Sequence, residues 1–151
     1  MRKFRWSDLV MLPFGVCVLF LLVLGKLFGL TYKQISVVFN LWIQGAVLSL
    51  TGLAPAAVCV YKLADGGSFL WLAATVPLMA YAAVYVYGFV GMLRHYHLPF
   101  DYAFDLCVED LQGLAVKWRT SYQMVNIIIF VLLFLVLITI NILLTHQIIS
   151  L

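Results

Sequence analysis

Residues 124–145, MVNIIIFVLLFLVLITINILLT, run for 22 positions without one charged side chain. Wound as an α-helix at ~1.5 Å per residue, that is enough to cross the ~30 Å hydrocarbon layer of a bilayer. A helix of a water-soluble domain keeps a polar face, and in this one Asn126, Thr139 and Asn141 punctuate the hydrocarbon before it ends at Thr145.

The same reading extends outward. Leu9–Leu30, Ile35–Tyr61 and Ser68–Leu93 are also apolar runs of spanning length. Lys26 interrupts the first near its end, where a lysine can extend its ammonium to the interface. The whole chain of 151 residues is 66% hydrophobic and 10% charged, with mean hydropathy +1.11. A soluble domain carries about 25% charged residues to cover its core. The expected fold is therefore an all-α integral membrane protein: a single transmembrane domain, residues 1–151, with four spans and an amphipathic interfacial helix between the third and fourth. No repeat is evident in the sequence. The first run exceeds the 7–15 apolar residues of a signal peptide and lacks a small-x-small cleavage site, so it is expected to be retained.

The amphipathic helix is expected over 101–122. Phe104, Val108, Leu111, Ala115, Trp118 and Tyr122 keep a 4-3-4-3-4 spacing that stays within about 40° of one line. Pro99 and a possible Asp101 cap mark its start, and Lys117 and Arg119 lie at its basic end, as the helix dipole favours. Such a helix lies along the interface or docks on the end of the bundle.

Net charge is +3, and Arg2, Lys3 and Arg5 cluster at the amino end. Basic residues beside a first helix stay in the cytoplasm, so both termini are expected there after four crossings. The count behind this is nearly even: Arg2, Lys3, Arg5 and Lys62 on one side, against Lys26, Lys33, Arg94, Lys117 and Arg119 on the other.

Helix two carries small residues at Gly45, Ser49, Gly52 and Ala56, a stripe along which another backbone can approach closely. The occupant is either a helix of the same chain or the same helix of a second copy. Polar intramembrane groups at Asn40, Gln44, Asn126 and Asn141 are expected either to join helices or to line a polar path.

Reactive side chains concentrate in one place. His95, His97, Asp101, Asp105 and Glu109 could in principle hold a metal, the three acids sharing a flank about 80° wide if helical. The spacing has none of the tight ligand sets that define metal sites, so no metal is assigned. No Asp, Glu or His occupies the middle of a span, which disfavours proton-coupled transport, voltage sensing and a bis-histidine haem. No cofactor is expected. Cys17, Cys59 and Cys107 have no C-x-x-C spacing, and the mixed charge of 101–122 is unsuited to nucleic acid. In size and span number the chain is similar to glutathione-dependent eicosanoid enzymes, small multidrug exporters and immunity proteins against pore-forming toxins. The arginine–glutamate set of the first and the helix-one glutamate of the second are missing, and the third has no residue signature.

Three functions follow as expectations. The first is a non-enzymatic membrane protein acting through helix–helix contacts, as an accessory subunit, an immunity component or a homo-oligomer, with lipid and a protein partner or second copy around it. The second is a channel or carrier with a path lined by the amides of helices two and four. The third is a metal-assisted enzyme built on the 95–109 segment.

Overall fold

A computed structural model describes residues 6–66 and 68–151; the basic cluster Arg2, Lys3 and Arg5 lies outside them. The elements are α1 (Trp6–Phe28), α2 (Tyr32–Ser36), a π-helical segment (Val37–Ile43), α3 (Gln44–Ala64), α4 (Phe69–His95), α5 (Phe100–Lys117), α6 (Tyr122–Ile127), a second π-helical segment (Ile128–Leu133) and α7 (Phe134–Ser150). No strand occurs among the described residues. Four helices are long and apolar enough to cross a membrane: Met11–Phe28, Tyr32–Ala64, Phe69–His95 and Tyr122–Ser150. The second and fourth run unbroken through their π-helical segments.

Contacts divide the chain into two compact units, one of residues 1–42 and 95–133, the other of residues 43–94 and 134–151. The first unit is built from two helical hairpins, α1 with α2 and α5 with α6. The two match position for position at an offset of 90 residues. α1 ends at Gly29 with φ 67°, and α5 gives way at Arg119 with φ 53°, both left-handed. The next amide closes each turn in the same way: Leu30 N donates to the Gly25 carbonyl at 2.8 Å, and Thr120 N to the Ala115 carbonyl at 2.9 Å. The following helix is then capped by a hydroxyl. Thr31 Oγ1 accepts from Gln34 N while Gln34 Oε1 accepts from Thr31 N, and Ser121 Oγ accepts from Met124 N.

Packing repeats too. Leu21 and Leu111, Gly25 and Ala115, Ile35 and Val125, and Val37 and Ile127 are buried as pairs 90 apart. The Phe14 ring meets Tyr122 edge-on at 6.2 Å, and the Phe104 ring meets Tyr32 edge-on at 5.9 Å. Each first helix of a hairpin thus packs on the second helix of the other, the reciprocity of a twofold contact made within one chain. Tyr32 and Tyr122 themselves lie within electrostatic reach of each other. Around Leu111, Ala115 and Val125 gather Cys107, Leu114, Tyr122, Ile129 and Phe130.

The helix expected over 101–122 begins at Phe100 and stops at Lys117. Pro99, with an extended backbone, stands at its N-cap in place of Asp101. The left-handed turn at Arg119 and the Ser121 cap separate Tyr122 from it and assign that residue to α6. Trp118, half exposed, closes α5 instead of extending its apolar face.

The second unit holds α3, α4 and α7. Thr51 meets Asn141 and Lys62 Nζ reaches the Ile149 carbonyl at 3.0 Å, so α3 and α7 run parallel. Contacts that descend α3 ascend α4: Cys59 with Trp71 and Thr75, Gly52 with Tyr85, and Gly45 with Phe89 and Met92. α4 is therefore antiparallel to α3.

Candidate functional site

Two clusters of polar side chains are assembled, one in each unit. In the second unit the small-residue stripe of α3 is occupied by α4. A Cβ built on Gly52 would stand 2.7 Å from the Tyr85 ring, and one on Gly45 would stand 2.6 Å from Met92 Cε and 2.7 Å from Phe89. Ser49 Oγ donates to the Tyr85 carbonyl at 3.3 Å, and Ala56 is buried. The close approach brings backbone and hydroxyl together, the way small residues join helices in lipid.

That approach seats a hydrogen-bond chain whose direction is fixed by proton counting. Tyr81 OH donates to Asn141 Oδ1 at 2.6 Å, which uses its only proton, so Tyr85 OH is the donor in the 3.0 Å contact between the two tyrosines. Asn141 Nδ2 donates to Thr51 Oγ1 at 3.1 Å, and Thr51 donates in turn to the Val47 carbonyl at 2.8 Å. Asn141 is wholly buried. Three helices, α4, α7 and α3, are thereby linked in one line. Tyr81 and Tyr85 were not among the residues singled out from the sequence; their i, i+4 spacing on one helix was the available signal.

The other amides lie in the first unit or at its edge. Asn126 is within hydrogen-bonding reach of the Tyr122 hydroxyl. Asn40 falls in the first π-helical segment, and Gln44 opens α3.

In the first unit, the 95–110 segment separates the residues considered as metal ligands. His95 Nε2 lies 3.1 Å from Asp110 Oδ2, and Tyr96 OH donates to the same oxygen at 2.7 Å. His97 tilts against the Tyr102 ring at 5.5 Å. Asp105 pairs with Lys33 at 2.8 Å, and Lys33 also lies over the Phe104 ring. Asp101 and Glu109 are exposed on α5. The histidines therefore do not fold back onto Asp101 and Asp105. Among the described residues no group of three or more His, Cys, Asp or Glu side chains is placed to hold a metal ion. Of the amphipathic positions, Leu111 is buried and Phe104 and Val108 are half-buried, facing α2 and the hairpin core.

Burial, with the nearby Asp110 carboxylate as the lesser cause, pushes the Cys107 thiol up to about 12. Burial and the Asp110 hydrogen bond likewise raise Tyr96. Because the thiolate is the reactive form, Cys107 as the sole cysteine should resist maleimide in mild detergent from pH 7 to pH 9 and react at an ordinary thiol rate once unfolded in dodecyl sulfate. Fast labelling of the folded protein would contradict this environment.

The class defined by these features is an all-helical chain with four helices of membrane-spanning length and a polar cluster buried among three of them. Comparison with protein-family models, with curated proteins and with solved structures returns no match.

Proposed function

We propose that the chain is a small multi-pass membrane protein that acts without catalysis, through contacts between helices, as an accessory subunit, an immunity or defence component, or a homo-oligomer. One observation carries this reading: four polar side chains on three apolar helices of the second unit bond to one another. Tyr85, Tyr81, Asn141 and Thr51 form a closed chain that ends on a backbone carbonyl. Groups engaged in this way join helices and do not present themselves to a substrate. The amide proposed to line a polar path, Asn141, has no accessible surface.

Large apolar side chains cover the outside, among them Leu12, Leu70, Val84 and Leu143, and lipid is their surrounding. The test is the mass of the protein in mild detergent, with partners identified after purification from its native membrane. A defined oligomer or a stoichiometric partner supports the reading. A strict monomer that co-purifies with nothing overturns it.

A further inference from the structure

The matched hairpins bear on how the chain meets the bilayer, because they give α1 and α5 equivalent seats although their compositions are opposite. α5 carries Asp101, Asp105, Glu109 and Asp110 within 18 residues and is no membrane span. It starts with Phe104 against Tyr32, at the head of α2, and ends in the turn that leads to Tyr122, at the head of α6. α1 makes the reverse path: Phe14 packs on Tyr122, and its end leads through a short turn to Tyr32. α1 and α5 each pack against both α2 and α6, and Tyr32 lies within electrostatic reach of Tyr122. The 14 helical steps from Phe14 to Phe28, about 21 Å, therefore run between the heads of α6 and α2.

We infer that α1 does not cross the bilayer but lies in the cytoplasmic leaflet beside the heads of α2 and α6, so that the chain crosses three times, through Tyr32–Ala64, Phe69–His95 and Tyr122–Ser150. The inference rests on the membrane reading above. The outward face of α1 suits a leaflet. Leu12, Val16, Leu19, Val23 and Leu27, spaced 4-3-4-4 along one stripe, are each at least 59% exposed. A helix with such a stripe sinks it into the acyl boundary.

Charge provides independent support. With four crossings the basic residues divide nearly evenly, as the sequence reading found. With three, Lys26, Lys33, Arg94, Lys117 and Arg119 fall on one side, together with Arg2, Lys3 and Arg5, and Lys62 alone falls on the other. Eight against one is the asymmetry that orients membrane proteins, and the basic side is cytoplasmic. Asp101, Asp105, Glu109 and Asp110 join that side, while Asp65, just after α3, stands with Lys62 of its last turn on the other. The Lys/Arg-rich end would also face the anionic headgroups of the inner leaflet.

The orientation is tested in intact bacterial cells with a membrane-impermeant maleimide. Single cysteines are introduced as Ser7→Cys, Asp65→Cys, Gln112→Cys and Ser150→Cys in a chain whose native cysteines are alanine. Asp65→Cys and Ser150→Cys should label from outside, and Ser7→Cys and Gln112→Cys only after permeabilisation. Labelling of Ser7→Cys and Ser150→Cys from the same side overturns the three-crossing path. Opposite sides in the reverse sense overturn the cytoplasmic assignment. Should the alanine background fail to fold, protease protection of tags at both ends of the unaltered chain reads the same difference. Release of the protein from membranes by alkaline carbonate would instead reject the membrane reading itself.

Discussion

Replacing Asn141 with leucine is expected to destabilise the folded protein in detergent by about 2–4 kcal/mol, lowering its unfolding midpoint by roughly 5–10 °C. The side chain is wholly buried, accepts from Tyr81 and donates to Thr51, so its loss removes two interhelical bonds. Leucine fills a similar volume, so the change isolates the polar loss from a cavity. The two tyrosine hydroxyls would then have one acceptor between them, since Tyr81 and Tyr85 can bond only to each other, and a stranded polar group costs about 1–3 kcal/mol when buried. Thr139→Val is the control. Thr139 is exposed and bonds only to the Leu135 carbonyl of its own helix, so its replacement should change stability by less than about 0.5 kcal/mol. Equal shifts for the two variants would show that the Asn141 bonds do not hold the helices together.

Gly52→Ala is expected to cost about 1–3 kcal/mol, although alanine is the better helix former. The new Cβ would lie 2.7 Å from both Cγ and Cδ2 of Tyr85, near the root of a rigid ring, so α4 must move as a whole. That displacement would also strain the Ser49 bond to the Tyr85 carbonyl and the contact between Tyr85 and Tyr81. Gly52→Ala and Asn141→Leu should therefore be non-additive, the pair costing less than the sum of the singles. Gly88→Ala, with open space around its Cβ, should be neutral or slightly stabilising. Additive losses, or a harmless Gly52→Ala, would mean that α4 is not seated through this stripe. Unfolding midpoints of the four proteins decide between these outcomes.

The apolar helices were legible in the sequence because hydrocarbon length is a one-dimensional property. Residues 124–145 alone exceed what a soluble fold would hide, and the Gly45, Ser49, Gly52, Ala56 spacing needs only helical arithmetic. The occupant of that stripe was not legible, since spacing states which face is small and not which helix fills it. The duplication was missed for a related reason. Its two halves keep the same residue at Phe14 and Phe104, Cys17 and Cys107, Leu21 and Leu111, and Tyr32 and Tyr122, but elsewhere they diverge: Gly29 corresponds to Arg119, Thr31 to Ser121 and Thr51 to Asn141. Around these scattered identities the halves share a left-handed turn, a hydroxyl cap and a pattern of burial, none of which needs the same letter at the same place. The reactive appearance of 95–109 likewise dissolved once Lys33, distant in sequence, took Asp105, and His95 took Asp110.

The two like hairpins raise a question of assembly order. During synthesis the first hairpin is complete long before the second exists, and the surface awaiting α6 would fit the equivalent surface of another nascent chain. α3 and then α4 follow in the sequence, and α4 can dock on the Gly45–Gly52 stripe of α3 before α5 is made. Its arrival gives α3 a neighbour and leaves another side of α3 open, the side where Asn141 later meets Thr51. In biogenesis, α4 thus biases a self-complementary chain toward pairing with its own second half.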